Sequence, residues 1–409
     1  MLSLLKDSRA VALLLAASLT ILSNSLISPS LPGIEARFAD EENAALLARL
    51  LVTAPSLMVA ILAPFAGALA DRFGRRLQLL AGVALFAIAG TAGLYLPTLK
   101  LVLFSRLFLG VAVAMIMTAQ TALIGDYFKG EKRGNFMGLQ IAATNFGGLI
   151  LLMLAGWLAA FSPLAPFAIY GIALVYLPIM MLTLEKSDRS ASQVEPTASD
   201  GEANWVATLV LVVLLAGLCF VCFYPLPTQA PYFLASIGHP EPQAAGMLMG
   251  AMTLAGGIVS LFFGKVRMRL GRSATPALGF MGFATGFYLF GIAPSFGLTL
   301  LGAAFIGAGG GLLMPTFLGL AVSIAPAHRR GLAAGAITTS IFLGQFLSPF
   351  ASTPLIASLG YATTFLATGA LLTLLALVAL IGLCPPRDPA ARRRPARDAP
   401  PRVAQTQRG

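Results

Sequence analysis

Two long apolar segments near the start of the chain are joined by the stretch Gly67-Ala-Leu-Ala-Asp-Arg-Phe-Gly-Arg-Arg76. A degenerate copy lies 197 residues further on and reads Gly264-Lys-Val-Arg-Met-Arg-Leu-Gly-Arg272. The same offset relates glycines elsewhere in the chain, Gly110 to Gly307 and Gly138 to Gly335. One offset at separated places indicates that the chain consists of two related halves. In a strongly apolar chain, such a duplication is typical of secondary transporters.

The composition places the chain in a membrane. Of its 409 residues, 57% are hydrophobic and 11% are charged, whereas about a quarter of the residues in soluble domains are charged. The net charge of +11 first suggests a nucleic-acid partner. However, all but four of the 27 lysines and arginines lie in tails and loops that the span count assigns to the cytoplasm. The basic charge is therefore the positive-inside signal of a membrane protein, and we expect no nucleic-acid partner.

Twelve apolar segments are long enough to cross a bilayer as helices, which takes about 20 residues each. They are residues 10–31, 46–68, 77–97, 101–124, 135–158, 166–184, 205–228, 243–264, 273–293, 297–324, 332–356 and 361–383. Helices are expected because a segment in lipid must satisfy its backbone hydrogen bonds internally. The predicted fold is an all-α membrane protein with twelve transmembrane helices in two pseudo-symmetric six-helix bundles.

The predicted spans divide the chain into four parts. We expect an N-terminal bundle over residues 1–184, a linker over 185–204, a C-terminal bundle over 205–384 and a tail over 385–409. The linker is rich in Ser, Thr, Glu and Asp and the tail in Pro and Arg, so neither can bury a core and both are expected to be disordered or flexible. An even span count and the basic loops predict a multi-pass protein of the bacterial inner membrane with both termini in the cytoplasm.

The sequence contains no recognisable metal or cofactor site. Cys219 and Cys222 have the spacing of a redox or metal motif, but they lie in an unbroken apolar run without a second pair. His239 and His328 lie in loops with no second ligand nearby. We expect no metal and no cofactor. A membrane-embedded enzyme or a non-transporting sensor is disfavoured, because nucleophiles, bases and metal ligands are not gathered at one depth.

Over nearly its whole length the chain resembles the major facilitator superfamily. The family signature between spans two and three is Gly-x-Leu-Ala-Asp-Arg-x-Gly-Arg-Arg, which Gly67–Arg76 matches at every defined position. The resemblance implies alternating access, in which two bundles rock around a binding site at the membrane midplane. Among the subclasses, the chain looks like the twelve-span drug and metabolite efflux group, because the sugar-porter signature after span six is missing.

The matching loop is expected to act as a conformational latch. In the family, its aspartate, here Asp71, engages the start of the eleventh helix while the outer side is open. Asp126 is expected to pair with Arg75, and Met268 stands in the copy where Asp71 stands in the first half. The predicted latch residues are Gly67, Asp71, Arg72, Gly74, Arg75, Arg76 and Asp126. The alternative is an ordinary positive-inside turn.

Span four contains a second family motif, Arg-x-x-x-Gly, at Arg106 and Gly110. The resemblance associates this arginine with proton coupling, and an arginine within a span usually faces a cavity or a partner. Ala303 occupies the related position in the second half. The antiporter motif of span five is only partly present, since Leu151 and Leu152 stand where Gly-Pro is expected.

The spans that would line a central cavity contain few polar groups. Soft methionine and aromatic walls with scattered amides suit an amphipathic or aromatic ligand, although each such residue could equally pack between helices. The candidate cavity residues are Asn24, Met117, Gln120, Asn145, Tyr224, Gln229, Met314, Phe317 and Gln345. No predicted span has an interior Asp or Glu, so the residues themselves do not provide the carboxylate that proton-coupled carriers commonly use.

The sequence therefore predicts a secondary active transporter that exports an amphipathic or aromatic small molecule, a drug or a metabolite, with the proton antiport that the resemblance implies. The alternative is a carrier for uptake or facilitated diffusion of a small organic anion, with Arg106 as the counter-charge. The expected partners are the small-molecule substrate, protons and the lipid bilayer. The chain is expected to be monomeric.

Overall fold

The computed structural model describes residues 6–128, 130–185, 202, 204–292 and 295–384, and these residues form helices joined by short turns. The predicted tail, residues 385–409, lies outside the described residues. So does all of the predicted linker except residues 185, 202 and 204.

The first half forms six membrane-crossing segments. Its helices are α1 (Ser8–Ser25), α2 (Leu31–Arg37), α3 (Ala44–Phe73), α4 (Arg75–Thr91), α5 (Leu99–Tyr127), α6 (Gly130–Ala159) and α7 (Ile172–Thr183). A short 3₁₀ turn at Ser28–Ser30 connects α1 to α2, so the two helices form one crossing segment. A 3₁₀ segment at Ala165–Gly171 leads into α7 and completes the sixth.

In the second half, two of the five helical stretches each contain two helices joined at a kink. The five stretches are α8 (Trp205–Phe223), α9 (Pro225–Ser236), α10 (Pro242–Ile292), α11 (Phe296–Ile324) and α12 (Arg330–Gly382). A straight helix as long as α10, with 51 residues, would measure about 77 Å, more than twice the hydrocarbon thickness of about 30 Å. Each of the two longest helices breaks at a glycine, α10 at Gly271 with φ 77° and α12 at Gly360 with φ 76°. Only glycine adopts such angles readily, and each break separates two spans.

The twelve-span prediction is confirmed. The described residues contain ten continuous helical segments long and apolar enough to cross a membrane, and the breaks in α10 and α12 divide two of these into pairs. The predicted boundaries are less accurate. The first span was predicted to end at residue 31, but the first membrane segment continues to Arg37 and therefore includes Glu35.

The duplication is visible in the packing of the helices. Gly110 on α5 lies so close to α3 that a Cβ atom would overlap the carbonyl oxygen of Pro55. At the related position in the second half, a Cβ at Gly307 on α11 would overlap the carbonyl oxygen of Met252 on α10. These four positions obey the offset of 197 residues. The repeat therefore preserves a helix contact that leaves no room for a side chain.

Large apolar side chains lie on the outside of the molecule. Phe65, Leu182 and Ile381 are 67%, 87% and 74% exposed. On a soluble protein so much exposed apolar surface would promote association, whereas in a bilayer it contacts lipid. The polar side-chain contacts lie between the helices and at the two ends of the bundles.

Candidate functional site

The turn between α3 and α4 is held by its two arginines. Gly74 has φ 89° and directly precedes α4. Arg75 forms an ion pair with Asp126, in the last turn of α5. Arg76 donates a hydrogen bond of 2.7 Å to the carbonyl oxygen of Met181 on α7. The predicted Arg75–Asp126 pair is therefore present, and with Arg76 it ties the start of α4 to two neighbouring helices.

The remaining predicted latch residues lie in the last turns of α3. They are Gly67, Asp71 and Arg72, and their side chains lie outside the described part of the structure. The contact of Asp71 with the start of the eleventh span therefore stays a prediction. We call the end of the bundles that carries this turn the Gly74 end.

The copy of the turn in the second half has an ion pair of its own. Gly271 has φ 77°, and the following Arg272 pairs with Glu202. Arg272 also donates a 2.9 Å hydrogen bond from Nε to the carbonyl oxygen of Leu383, and the backbone N–H of Glu202 donates to the carbonyl of Ile324 at 3.0 Å. The sequence predicts that Glu202 lies in the linker. In the structure its carboxylate pairs with Arg272 in the way that Asp126 pairs with Arg75 in the first half.

Arg106 is enclosed inside the first bundle. Its side chain is fully buried, and Nη2 donates to the carbonyl oxygens of Gly90 at 2.7 Å and Ala89 at 3.4 Å. The guanidinium carbon lies 4.7 Å from the ring centre of Phe167 and 4.9 Å from that of Tyr170, within the range of a cation–π interaction. Nε and Nη1 have no hydrogen-bond acceptor among the described residues.

Arg106 has partners within its own bundle and does not face an open cavity. Two glycines of the first half explain this arrangement, because a Cβ at Gly90 would overlap Tyr170 and a Cβ at Gly93 would overlap Phe167. The two rings pack over these glycines, on α4 and on the 3₁₀ turn that follows it, and the Arg106 guanidinium lies against both rings. In the second half, the buried residues Phe287 and Phe290 stand at the positions related to Gly90 and Gly93, and Ala303 stands at the position related to Arg106. The sequence signal for this site was that glycines in the first half correspond to phenylalanines in the second half at the offset of 197 residues.

Two helix pairs, α3 with α12 and α6 with α10, form contacts between the halves. Ser56 on α3 donates a 2.7 Å hydrogen bond to the Oε1 atom of Gln345 on α12. Asn145 on α6 donates to the carbonyl of Ile141 in its own helix at 2.9 Å. It packs so closely on Gly257 of α10 that a Cβ there would lie 2.9 Å from the Asn145 Cβ. Gln345 and Asn145 thus lie where the halves meet near the middle of the helices.

The other cavity candidates are dispersed. Gln120 donates a 2.8 Å bond to the carbonyl of Leu13 on α1 and is buried within the first bundle. Phe317 has no exposed surface and packs against Phe280 within the second bundle. These two residues are enclosed rather than lining an open cavity. Tyr224 is 5% exposed against Phe220 and Phe223, Met117 is partly buried against the core and Met314 is 47% exposed. The side chain of Asn24 lies outside the described part of the structure.

A polar cluster at the other end of the bundles was missed by the sequence analysis. It contains Glu35, Arg49, Gln229 and Tyr232, of which only Gln229 was a candidate. The Arg49 guanidinium lies 3.3 Å from Glu35 and donates to Gln229 at 3.2 Å, and the hydroxyl of Tyr232 donates to Glu35 at 2.6 Å. We call this the Glu35 end. An arginine just inside an apolar span was the available signal, since such a residue needs a partner.

Comparisons with known proteins agree with this architecture. The family model described as Major Facilitator Superfamily matches residues 13–240 and 214–407. The chain is 26% identical over 309 residues to "Multidrug resistance protein 2" of Bacillus subtilis, and the alignment covers 73% of this chain and 77% of the relative. It is 29% identical over 176 residues to "Quinolone resistance protein NorA" of Staphylococcus aureus, covering 42% of this chain and 45% of that relative.

Two solved structures show the same fold. A D-xylose-proton symporter superposes with a TM-score of 0.77 at 19% identity, over 92% of this chain and 98% of the other. The human organic anion transporter MFSD10 superposes with a TM-score of 0.70 at 16% identity, over 91% and 99%. At these identities the likeness concerns the arrangement of the helices alone.

Proposed function

The chain belongs to the Major Facilitator Superfamily, and from this premise we propose that it exports an amphipathic or aromatic drug or metabolite in exchange for protons. A transporter of this family is a multi-pass membrane protein that handles small molecules. We further propose that the chain works as a monomer in the bacterial inner membrane, with the Gly74 end in the cytoplasm. That orientation follows from the arginines at the turns after α3 and within α10, because basic residues favour the cytoplasmic side.

One observation carries the export proposal. A relative whose alignment covers 73% of this chain and 77% of its own length is by name a multidrug resistance protein. The polar side chains where the halves meet near the middle of the helices support the same reading, since Ser56, Asn145 and Gln345 are uncharged. A pocket with few polar groups suits an apolar or aromatic ligand better than one with many hydroxyl groups.

Proton antiport is the part of the proposal that comes from the resemblance of Arg106 and Gly110 to the family's second motif. Arg106 keeps its proton at any physiological pH. It therefore acts, in this proposal, by its fixed charge on the packing of α4 and α5 rather than by carrying a proton. The uptake of an organic anion gains no support from Arg106, because the guanidinium is enclosed by Phe167 and Tyr170.

A transport assay tests the proposal. The full chain is reconstituted into liposomes, and movement of a fluorescent amphipathic dye is followed with and without an imposed pH gradient. We expect the pH gradient to drive the dye against its own concentration gradient, and a protonophore to abolish that movement. Dye movement that ignores the gradient would refute antiport. Transport of small organic anions without transport of the dye would refute drug export and favour the anion carrier.

A further inference from the structure

The cluster at the Glu35 end joins the two halves of the molecule. Glu35 on α2 and Arg49 on α3 belong to the first half, whereas Gln229 and Tyr232 on α9 belong to the second. Two hydrogen bonds of the cluster cross between the halves, from Arg49 Nε to Gln229 Oε1 at 3.2 Å and from the Tyr232 hydroxyl to Glu35 Oε2 at 2.6 Å. The Arg49 guanidinium carbon also lies 4.2 Å from the centre of the Tyr232 ring.

The cluster is continued into the second half by Gln229. Its Nε2 atom donates a 3.0 Å hydrogen bond to the hydroxyl of Thr353 on α12, so α9 and α12 hold the amide in place. Gln229 is 1% exposed, and the side chain of Arg49 is 11% exposed. Buried groups of this kind are costly to leave without partners. The crossing bonds therefore stabilise the contact between the halves at this end.

The charges are arranged so that the halves can part. Arg49 has partners on its own side, because it pairs with Glu35 at 3.3 Å and donates to the carbonyl oxygen of Ala45. When Gln229 and Tyr232 move away with the second half, the ion pair stays intact. Separation then exposes the Gln229 amide and the Tyr232 phenol to water. It leaves no buried charge unpaired, and an unpaired buried charge would cost the most free energy. The cluster can thus open and close repeatedly at moderate cost.

We propose that Glu35, Arg49, Gln229 and Tyr232 form the gate that closes the Glu35 end of the transporter and must separate for substrate to leave there. This inference rests on the alternating-access part of the proposed function. In the orientation proposed above, the gate faces the outside. Glu35 and Arg49 form its fixed side, and Tyr232 and Gln229 form its moving side.

A buried reporter measures the opening of the gate. Thr53 is fully buried. It lies four residues after Arg49 and three residues before Ser56, so the three side chains share one face of α3. In a background with Cys219→Ala, Cys222→Ala and Cys384→Ser, Thr53→Cys is the single thiol. Its rate of reaction with a membrane-impermeant maleimide reports how often the Glu35 end is open.

Loss of one crossing bond should raise the reaction rate. Tyr232→Phe removes only the hydroxyl that donates to Glu35, and hydrogen bonds to charged groups are strong enough for an increase of about ten-fold. Glu35→Gln weakens the same bond and also removes the charge that pairs with Arg49, so it should raise the rate at least as much. Tyr95→Phe is the matched control, because its hydroxyl donates to Ile88 within the first half at 3.3 Å. It should react at the parent rate.

The outcomes separate the gate from the transport proposal. Unchanged labelling of a well-folded Tyr232→Phe variant, with the melting temperature of the parent, would refute the gate. Labelling that rises as expected in a protein that moves no dye in the liposome assay would uphold the gate and refute drug export alone.

Discussion

Replacing Gly307 with alanine tests the closest helix contact of the second half. The new methyl group would overlap the carbonyl oxygen of Met252, and a backbone carbonyl within a helix cannot rotate away. α10 and α11 must therefore move apart. An extra methyl group in a well-packed interior costs about 1–3 kcal/mol. For a cooperative unit of about 180 residues, at roughly 2–4 °C per kcal/mol, the Tm should fall by about 2–12 °C.

Thermal unfolding of the purified protein in detergent provides the measurement. Gly319→Ala is the matched control, since Gly319 lies on the same helix, is exposed, and a methyl group added there would meet no neighbouring helix or side chain of the described residues within 4 Å. There the substitution should leave the Tm unchanged or raise it slightly, because alanine favours a helix over glycine by up to about 1 kcal/mol. Gly110→Ala should behave like Gly307→Ala. Equal melting temperatures for Gly307→Ala and Gly319→Ala would contradict the close packing of α11 on α10.

Three further experiments probe the charged groups. Arg106→Met should melt no lower than the parent, because two buried nitrogen atoms without acceptors among the described residues, Nε and Nη1, each costing about 1–3 kcal/mol, are removed. Transport should still fall by at least about ten-fold if Arg106 acts in coupling. A lower Tm with full transport would contradict that role. Asp126→Asn should destabilise the first half by about 1–2 kcal/mol, since its pair with Arg75 is only partly exposed, and an unchanged Tm would contradict this. A double-mutant cycle of Glu202→Gln and Arg272→Gln should give a coupling of up to about 1 kcal/mol; zero coupling would mean that Arg272 does not hold the linker residue.

The fold was predictable because its signals are local or periodic. Apolar length alone determines a span, and the offset that relates the two arginine turns divides the spans into two sets. Gly271 and Gly360 fall in the gaps between predicted spans, so the breaks in α10 and α12 agree with the prediction. The error concerns the end of the first segment. The extension of the first segment to Glu35 was missed because α2 is a short amphipathic continuation.

The site was predictable only where partners follow from sequence position. The Arg75–Asp126 pair joins the ends of two adjacent predicted spans at the same membrane level, so it could be expected. The partners of Arg106 are aromatic rings from a distant 3₁₀ segment, and their approach depends on two glycines of the first half. The Glu35 cluster depends on how the halves meet across more than 180 residues of chain separating Arg49 from Tyr232, which one sequence does not specify.

The two ends of the molecule use their charges differently. At the Gly74 end, Arg75 pairs with Asp126 within the first half, and Arg272 of the second half pairs with the linker residue Glu202, so neither ion pair joins the two bundles. At the Glu35 end, hydrogen bonds from Tyr232 and Arg49 cross between the halves. Pairs within a half keep its helices together while it moves, whereas crossing bonds must exchange their partners for water. The described contacts therefore allow each half to turn as a rigid body about the interface near Ser56 and Gln345. The crossing bonds at the Glu35 end, which include one from Ser28 to the carbonyl oxygen of Pro227, then have to break.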